Sequence, residues 1–361
     1  PMLDNLTQAL KYDPHNKEAL FGMGNYYYML GNYTDALYYF THARLYALDH
    51  PEILYNIGIC LNGLGEFEKS ASIFYALLHS DTYALLARRQ LRDHAIRNQD
   101  WKHALTMNDA THIWWYDSDI RNKKIAIRIE GCAGDYFQAL RYIKHLHTAG
   151  AQVIVAAPPH LHAILSCCPF IDHMLTRQEI IDRAFDEVYF IDIQTLSICF
   201  KTISSTFTHD MPCIMPDRSL VQKWHPIIHT NTTFNIGICW HSSLLTPFKD
   251  IPPFSSKRTI PLRYLMQLSE IPGIKLYSLQ QHNGLEELVC NPDKNRITLF
   301  EESFDKEHGS FMDTAAVMQS LDLIITVDTS IAHLAGCIGV PVWVMLPYAA
   351  EHRWFHDIDY A

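Results

Sequence analysis

Leu323-Ile324-Ile325-Thr326-Val327-Asp328-Thr329-Ser330-Ile331-Ala332-His333-Leu334-Ala335-Gly336 is the stretch on which the reading of this 361-residue chain turns. A run of β-type residues is followed at once by Asp-Thr-Ser, and then by small and apolar residues at helical spacing. This pattern predicts a buried strand that feeds directly into a helix. The first turn of such a helix carries N–H groups without intrahelical acceptors and the positive end of the helix dipole, so it suits an anion such as a diphosphate. Asp328, Thr329 and Ser330 form the turn, and His333 falls where it can reach a phosphate or a sugar hydroxyl. A plain helix cap by Asp328 or Thr329 would use the same residue types.

Outward from this stretch the same alternation recurs. Ile125–Ile129, Val153–Ala156 and Val188–Ile191 read as strands separated by helical patterns. A second series runs through Phe234–Trp240, Ile274–Leu279, Ile297–Leu299, Leu323–Val327 and Val342–Leu346. Strands alternating with helices imply parallel sheets covered on both faces. Pro212 to Thr233, with three prolines and an Asn-Thr-Thr run, reads as a linker between the two series. Two doubly wound sheets in tandem would place a two-substrate cleft between their strand carboxyl ends.

The first third follows a different rule. At an offset of 34 residues Gly24 falls on Gly58, Leu30 on Leu64, Gly31 on Gly65, Tyr33 on Phe67 and Phe40 on Phe74. A decayed third copy puts Trp101 after Phe67 and Ala104 after Ser70, with Gln99 where the glycine stood. Small residues at 24 and 58 let paired helices approach closely, and the Leu-Gly-x-aromatic run turns the chain between them. The period is that of the tetratricopeptide repeat, and residues 1–110 resemble that family. Such an array implies a concave surface for a protein or an extended peptide, or else a brace for the next domain.

Composition narrows the remaining possibilities. Lys and Arg number 29 against 39 Asp and Glu, a net charge of −10 that offers no basic footprint for nucleic acid or an anionic membrane. Nine dispersed cysteines, mostly inside apolar segments, fit a reducing compartment, and no run approaches bilayer length, so no membrane insertion and a cytoplasmic location are expected. The pairs His145/His147 and His160/His162 lack the third ligand and the spacing of a zinc enzyme, and Asp117-Ser118-Asp119 precedes the first strand, so no metal site is expected. Gly-x-Ser-x-Gly, Walker and Rossmann glycine motifs are missing from the sequence.

The stretch at 323–336, with Trp343–Pro347 and Arg353-Trp354, resembles the sugar-nucleotide motif of the heptosyltransferase-like (family 9-like) GT-B glycosyltransferases. Asp313-Thr314-Ala315, Ser278-Leu279-Gln280 and Ile260-Pro261-Leu262 are similar to the branch that carries tetratricopeptide repeats in front of that domain. The resemblance implies an α plus α/β architecture: repeats at 1–110, a linker at 111–122, a Rossmann-like acceptor half at 123–232 and a Rossmann-like donor half at 233–361. It also implies a metal-independent, inverting transfer from a nucleotide-diphosphate sugar, without a cofactor, to an acceptor hydroxyl on a protein or peptide held by the repeats. Glu130-Gly131-Cys132-Ala133-Gly134-Asp135 matches the family's glycine-rich turn, which makes Asp135 the expected general base and Gly131 and Gly134 the acceptor-side turn. Cys132 departs from the family's glycine. On the donor side the resemblance points to Asp328, Thr329, Ser330, His333, Gln280 and Trp240, with Lys249, Lys257 or Arg258 beside the phosphates. Two other expectations stay open: a scaffold with reduced catalysis that binds a partner or nucleotide sugar, and a glycan or lipid-linked acceptor.

Overall fold

The computed structural model describes residues 2–48, 50–107, 119–129, 131–176, 178–179, 188–192, 196, 198, 200, 212–229, 233–242, 258–348 and 350–354. By contact the chain divides into two compact units. The first consists of helices α1 (Met2–Tyr12), α2 (Lys17–Met29), α3 (Tyr33–Tyr46), α4 (Pro51–Gly63), α5 (Phe67–Ala76), α6 (Ala84–Arg97) and α7 (Trp101–Thr106). Asn16 and Asn32 start α2 and α3 by accepting from Ala19 N and Asp35 N, and Pro51 opens α4, where its missing N–H costs nothing.

The 34-residue period is written into the backbone. Each first helix of a pair ends in the same two bonds: Gly31 N donates to Tyr28 O and Asn32 N to Tyr27 O, then Gly65 N to Asn62 O and Glu66 N to Leu61 O. The third pair repeats them, with Gln99 N to Ile96 O and Asp100 N to Ala95 O. This is the Schellman stop, which requires a left-handed residue at its centre. Gly31 and Gly65 supply φ 71° and 80°, and Gln99 adopts φ 57° although it carries a side chain. The decayed copy therefore keeps the turn at a conformational cost. Gln99→Gly is expected to raise stability by up to about 1 kcal/mol in urea melts, the gain being trimmed by glycine's larger unfolded-state entropy. A loss of stability would mean that the Gln99 side chain holds the turn by some other means.

Between the stops the helix pairs close on each other. A Cβ at Gly24 would lie 2.5 Å from the Phe40 ring, and one at Gly58 2.7 Å from Phe74. Both phenylalanines are buried, and each anchors one of two apolar clusters. Residues 346–354 group with this unit. Arg97, stacked 3.9 Å above the Phe67 ring, donates from Nη2 to Ala350 O at 2.9 Å.

The second unit holds two parallel sheets. The first takes β1 (Lys124–Arg128), β2 (Gln152–Ala156), β3 (His173–Leu175) and β4 (Val188–Asp192) in the order β3-β2-β1-β4, with helices α8 (Ala133–Thr148) and α9 (His162–Leu165) in its crossovers. The segment read as a linker folds instead as helix α10 (Arg218–Ile228). Asp217 caps it by accepting from Ser219 N and Leu220 N, and Leu220, Trp224 and Ile228 bury one face at successive turns. Pro226 sits inside the last turn of the helix.

The second sheet is β5 (Phe234–Cys239), β6 (Ile274–Ser278), β7 (Ile297–Thr298), β8 (Leu323–Val327) and β9 (Val342–Met345), in the order β7-β6-β5-β8-β9. Its helices are α11 (Leu262–Met266), α12 (Leu285–Val289), α13 (Met312–Met318) and α14 (Ser330–Ile338). Alternation along β5 sends Ile236, Ile238 and Trp240 to one face and Cys239 to the other. A single apolar cluster contains Ile125, Phe137 and Leu140 of the first half together with Ala316, Leu334 and Cys337 of the second. Helices α8 and α14 form the seam, where Cys337 Sγ donates to Phe137 O at 3.1 Å. The two parallel sheets match the tandem sheets that the alternation of strands and helices predicts.

Candidate functional site

Strand order locates the crevices. In the first sheet the chain steps from β1 to β2 and β3 on one side and to β4 on the other; in the second it steps from β5 to β6 and β7 and then to β8 and β9. A crevice opens at the carboxyl ends wherever the order reverses, here between β1 and β4 and between β5 and β8. The residues leaving β1 include Gly131 to Asp135, and those leaving β5 and β8 are Trp240 to Ser242 and Asp328 to Ser330.

These two crevices meet. A Cβ built on Gly134 would lie 3.1 Å from His333 Cδ2, 3.5 Å from Ser330 Cα and 3.7 Å from Ser330 N. The glycine-rich turn at the start of α8 therefore packs on the first turn of α14, and only a residue without a side chain fits there without moving His333. Thr329 occupies the N-cap of α14 with extended backbone, φ −142° and ψ 174°, and its side chain makes no capping hydrogen bond. Its hydroxyl instead pairs with Thr326 Oγ1 at 3.1 Å.

Asp328 is buried, and Arg258 Nη1 lies 3.6 Å from its Oδ2, with the guanidinium about half exposed. Arg258 thus reaches the entry to α14, whereas Lys249 and Lys257 lie outside the described residues, as do Glu130, Ser243 and most of the 111–122 linker. His333 is buried at 8% exposure.

Asp135 stands at the third position of α8, and its Oδ2 accepts from Cys132 N at 2.9 Å and from Cys132 Sγ at 3.4 Å. A Cβ at Gly131 would fall 2.2 Å from that same oxygen, so the glycine is required for the carboxylate to occupy this position. Desolvation and the adjacent carboxylate push the Cys132 thiol up, which keeps it protonated and able to donate.

Two residues expected at the donor have other surroundings. Trp240 is fully buried among Ile236, Ile238, Leu262 and Leu276 on the far face of the second sheet. Gln280 is buried, its amide oxygen accepting from Cys239 Sγ, Trp240 N and His241 N and its amide nitrogen donating to His241 O, Gln281 O and Asn283 O. Gln280 therefore meets the crevice through the Trp240–His241 backbone that it holds.

A buried carboxylate network that sequence reasoning missed lies at the start of α13. Asp313 Oδ1 accepts from Trp224 Nε1 at 2.8 Å, and its Oδ2 accepts from Asp305 N and pairs with His308 Nδ1, both at 3.1 Å. Burial alone would raise the Asp313 carboxyl, but bonds from Trp224, His308 and the Asp305 amide outweigh it and hold the group below its ordinary value. Asp305, desolvated and beside this second carboxylate, is pushed the other way. The Asp-Thr-Ala motif was visible in the sequence; its partners 5 to 89 residues away were not.

Among the described residues, no group of three or more His, Cys, Asp or Glu is arranged to hold a metal ion, and no helix is long and apolar enough to cross a membrane.

Residues 3–47 match the tetratricopeptide repeat family. No curated protein is detectably similar to the chain. Among solved structures, it is similar to a glycosyl transferase of family 9 from Veillonella parvula at 13% identity and a TM-score of 0.46, covering 66% of this chain and 84% of that one. It is also similar to the E. coli ADP-heptose lps heptosyltransferase II at 12% identity and a TM-score of 0.43, covering 61% and 84%. An O-GlcNAc transferase from Thermobaculum terrenum overlaps 96% of this chain and 79% of its own at 15% identity and a TM-score of 0.33.

Proposed function

We propose that the chain is a metal-independent, inverting GT-B glycosyltransferase that moves a sugar from a nucleotide-diphosphate donor to an acceptor hydroxyl, on a protein or peptide bound by the repeats. The observation that carries the reading is the junction of the Gly-Asp turn with the first turn of α14 at Gly134, Ser330 and His333. One end of that junction offers a carboxylate, and the other offers N–H groups that the Thr329 side chain leaves uncapped.

In this reading Asp135 accepts the acceptor proton as the hydroxyl oxygen bonds to the anomeric carbon. The bond from that carbon to the diphosphate breaks on the opposite face, and the nucleoside diphosphate leaves with the electron pair. The amides at Thr329 to Ile331 and the Arg258 guanidinium stabilise the charge that builds on the leaving group. Lys249 is a second candidate for that task. The hydrogen bonds that tie Asp135 to Cys132 favour the alternative, a scaffold that binds a nucleotide sugar or a partner without turnover.

A melting-curve panel of ADP, GDP and UDP tests the donor site. One diphosphate at about 100 times its Kd is expected to add about 2.7 kcal/mol to wild-type stability. His333→Ala is expected to lose most of that increment. If no diphosphate shifts the melt at millimolar concentration, the donor site does not exist as described. If one binds but no acceptor is ever modified, the scaffold reading takes its place.

A further inference from the structure

At the exits of β5 and β6 lies a buried polar network whose Cys239 sulfur packs against Thr329, the residue before α14. Gln280, 5% exposed, is its hub. Its oxygen gathers the Trp240 amide at 3.1 Å, the His241 amide at 2.9 Å and the Cys239 thiol at 3.3 Å, and its nitrogen spans His241 O, Gln281 O and Asn283 O at 3.1, 3.3 and 2.7 Å. Cys239 Sγ in turn lies 4.0 Å from Thr329 Oγ1, which meets Thr326 Oγ1 at 3.1 Å. Gly284 closes the far side: its φ of +85° carries the β6 exit loop over His241, where a Cβ would be 2.6 Å from His241 Cβ.

A primary carboxamide suits this position because it offers an acceptor oxygen and a two-proton donor in one plane. A carboxylate would satisfy the Trp240 and His241 amides but face three carbonyls without a proton, and an apolar chain would satisfy neither set. Burial pushes the Cys239 thiol up to about 11, so it remains a donor to Gln280 at neutral pH. The network therefore ties the exit of β6 to the exit of β5 through a buried side chain, with the Cys239 sulfur in contact with the Thr329 hydroxyl at the exit of β8.

We propose that Gln280 is a positioning residue for the donor. By fixing the Trp240–His241 backbone and by holding the Cys239 thiol where its sulfur packs 4.0 Å from the Thr329 hydroxyl at the head of α14, it governs how a nucleoside diphosphate is held without touching it. The inference rests on the donor reading given above.

The test uses the full chain with Gln280→Met, Gln280→Glu, Cys239→Val and Cys239→Ser, and reads two quantities. The first is amide exchange at Trp240 and His241, and the second is affinity for whichever of ADP, GDP or UDP binds the wild type. Gln280→Met is expected to speed exchange at both amides and weaken the diphosphate about tenfold or more, because buried donors lose their acceptor. Gln280→Glu is expected to keep the amides protected yet still weaken binding. Cys239→Val should weaken binding several-fold, with Cys239→Ser recovering most of it, and this pair decides the matter if the Gln280 variants fail to fold.

Unchanged affinity in Gln280→Met with faster exchange would overturn the proposal, as would weaker binding with unchanged exchange and a silent Cys239→Val, the pattern of direct contact. Failure of the wild type to bind any diphosphate would remove the donor reading and this inference together. That outcome is distinct from the others, in which the wild type binds.

Discussion

Asp135→Asn is expected to lower sugar transfer about a hundred- to ten-thousand-fold, the range lost when a general base is removed from a proton-transfer step. The substitution isolates that role. Asparagine keeps a side-chain oxygen that can accept from Cys132 N, so the start of α8 stays tied, and it adds no atom against Gly131. Stability is expected to change by less than about 1 kcal/mol, the scale of one exposed capping bond. Nucleotide affinity should also stay near the wild-type value, because Asp135 lies at the acceptor end of the junction. Matched assays of transfer, melting and diphosphate binding separate the outcomes. Transfer that survives the change would show that Asp135 only caps the helix. Loss of diphosphate binding alongside transfer would mean that the junction itself had shifted.

Asp313→Ala is expected to cost about 3 kcal/mol at neutral pH, because it strips acceptors from a buried indole N–H and a backbone amide and removes the partner of His308. The effect should depend on pH in a definite sense. A carboxyl held below its unfolded value of about 3.9 stabilises the fold while it is ionised, and that contribution fades as pH falls through its folded value. The gap between wild type and variant should be widest above about pH 5 and shrink in stronger acid. Urea melts at pH 7 and pH 3.5 test this. A gap that stays constant across that range would assign the cost to lost packing alone.

Much of this architecture could be read from local pattern. The 34-residue register matches Gly24 to Gly58 and Phe40 to Phe74, because close helix approach requires glycine and leaves a trace in composition; that each glycine lies against its phenylalanine is visible only in the fold. The run from Leu323 into α14 was equally plain, since strand propensity and the polar turn agree there. Segment 212–233 reads as a linker on its prolines and its Asn-Thr-Thr run, and the helical spacing of Leu220, Trp224 and Ile228 becomes evident only where these side chains bury one face of α10. Site residues were harder. Asp135, Asp328 and Arg258 could be listed, but their neighbours come from turns far apart in the chain. Trp240 closes the strand pattern Phe234–Trp240 and is expected at the donor, yet the alternation continues through it and turns its ring into the apolar cluster with Ile236 and Ile238. Gln280 was legible as polar and strand-terminal, but the direction of its amide depends on six protein partners that no spacing reveals. Gln99 is the reverse case: it stands where the decayed third copy lacks the glycine, and the backbone keeps the turn regardless.

The α8–α14 seam has a bearing on how this protein can move. Hinged enzymes open by parting two lobes that each keep a private interior, and here both sheets draw on one interior, with a thiol on one helix bonded to a carbonyl of the other. Parting them would bring apolar surface into water at about 25 cal/mol for every Å² exposed. A motion that keeps the α8–α14 seam closed avoids that cost, so in the proposed reaction the junction of Gly134 with Ser330 and His333 would keep its geometry. The two sheets are therefore expected to unfold as one cooperative unit.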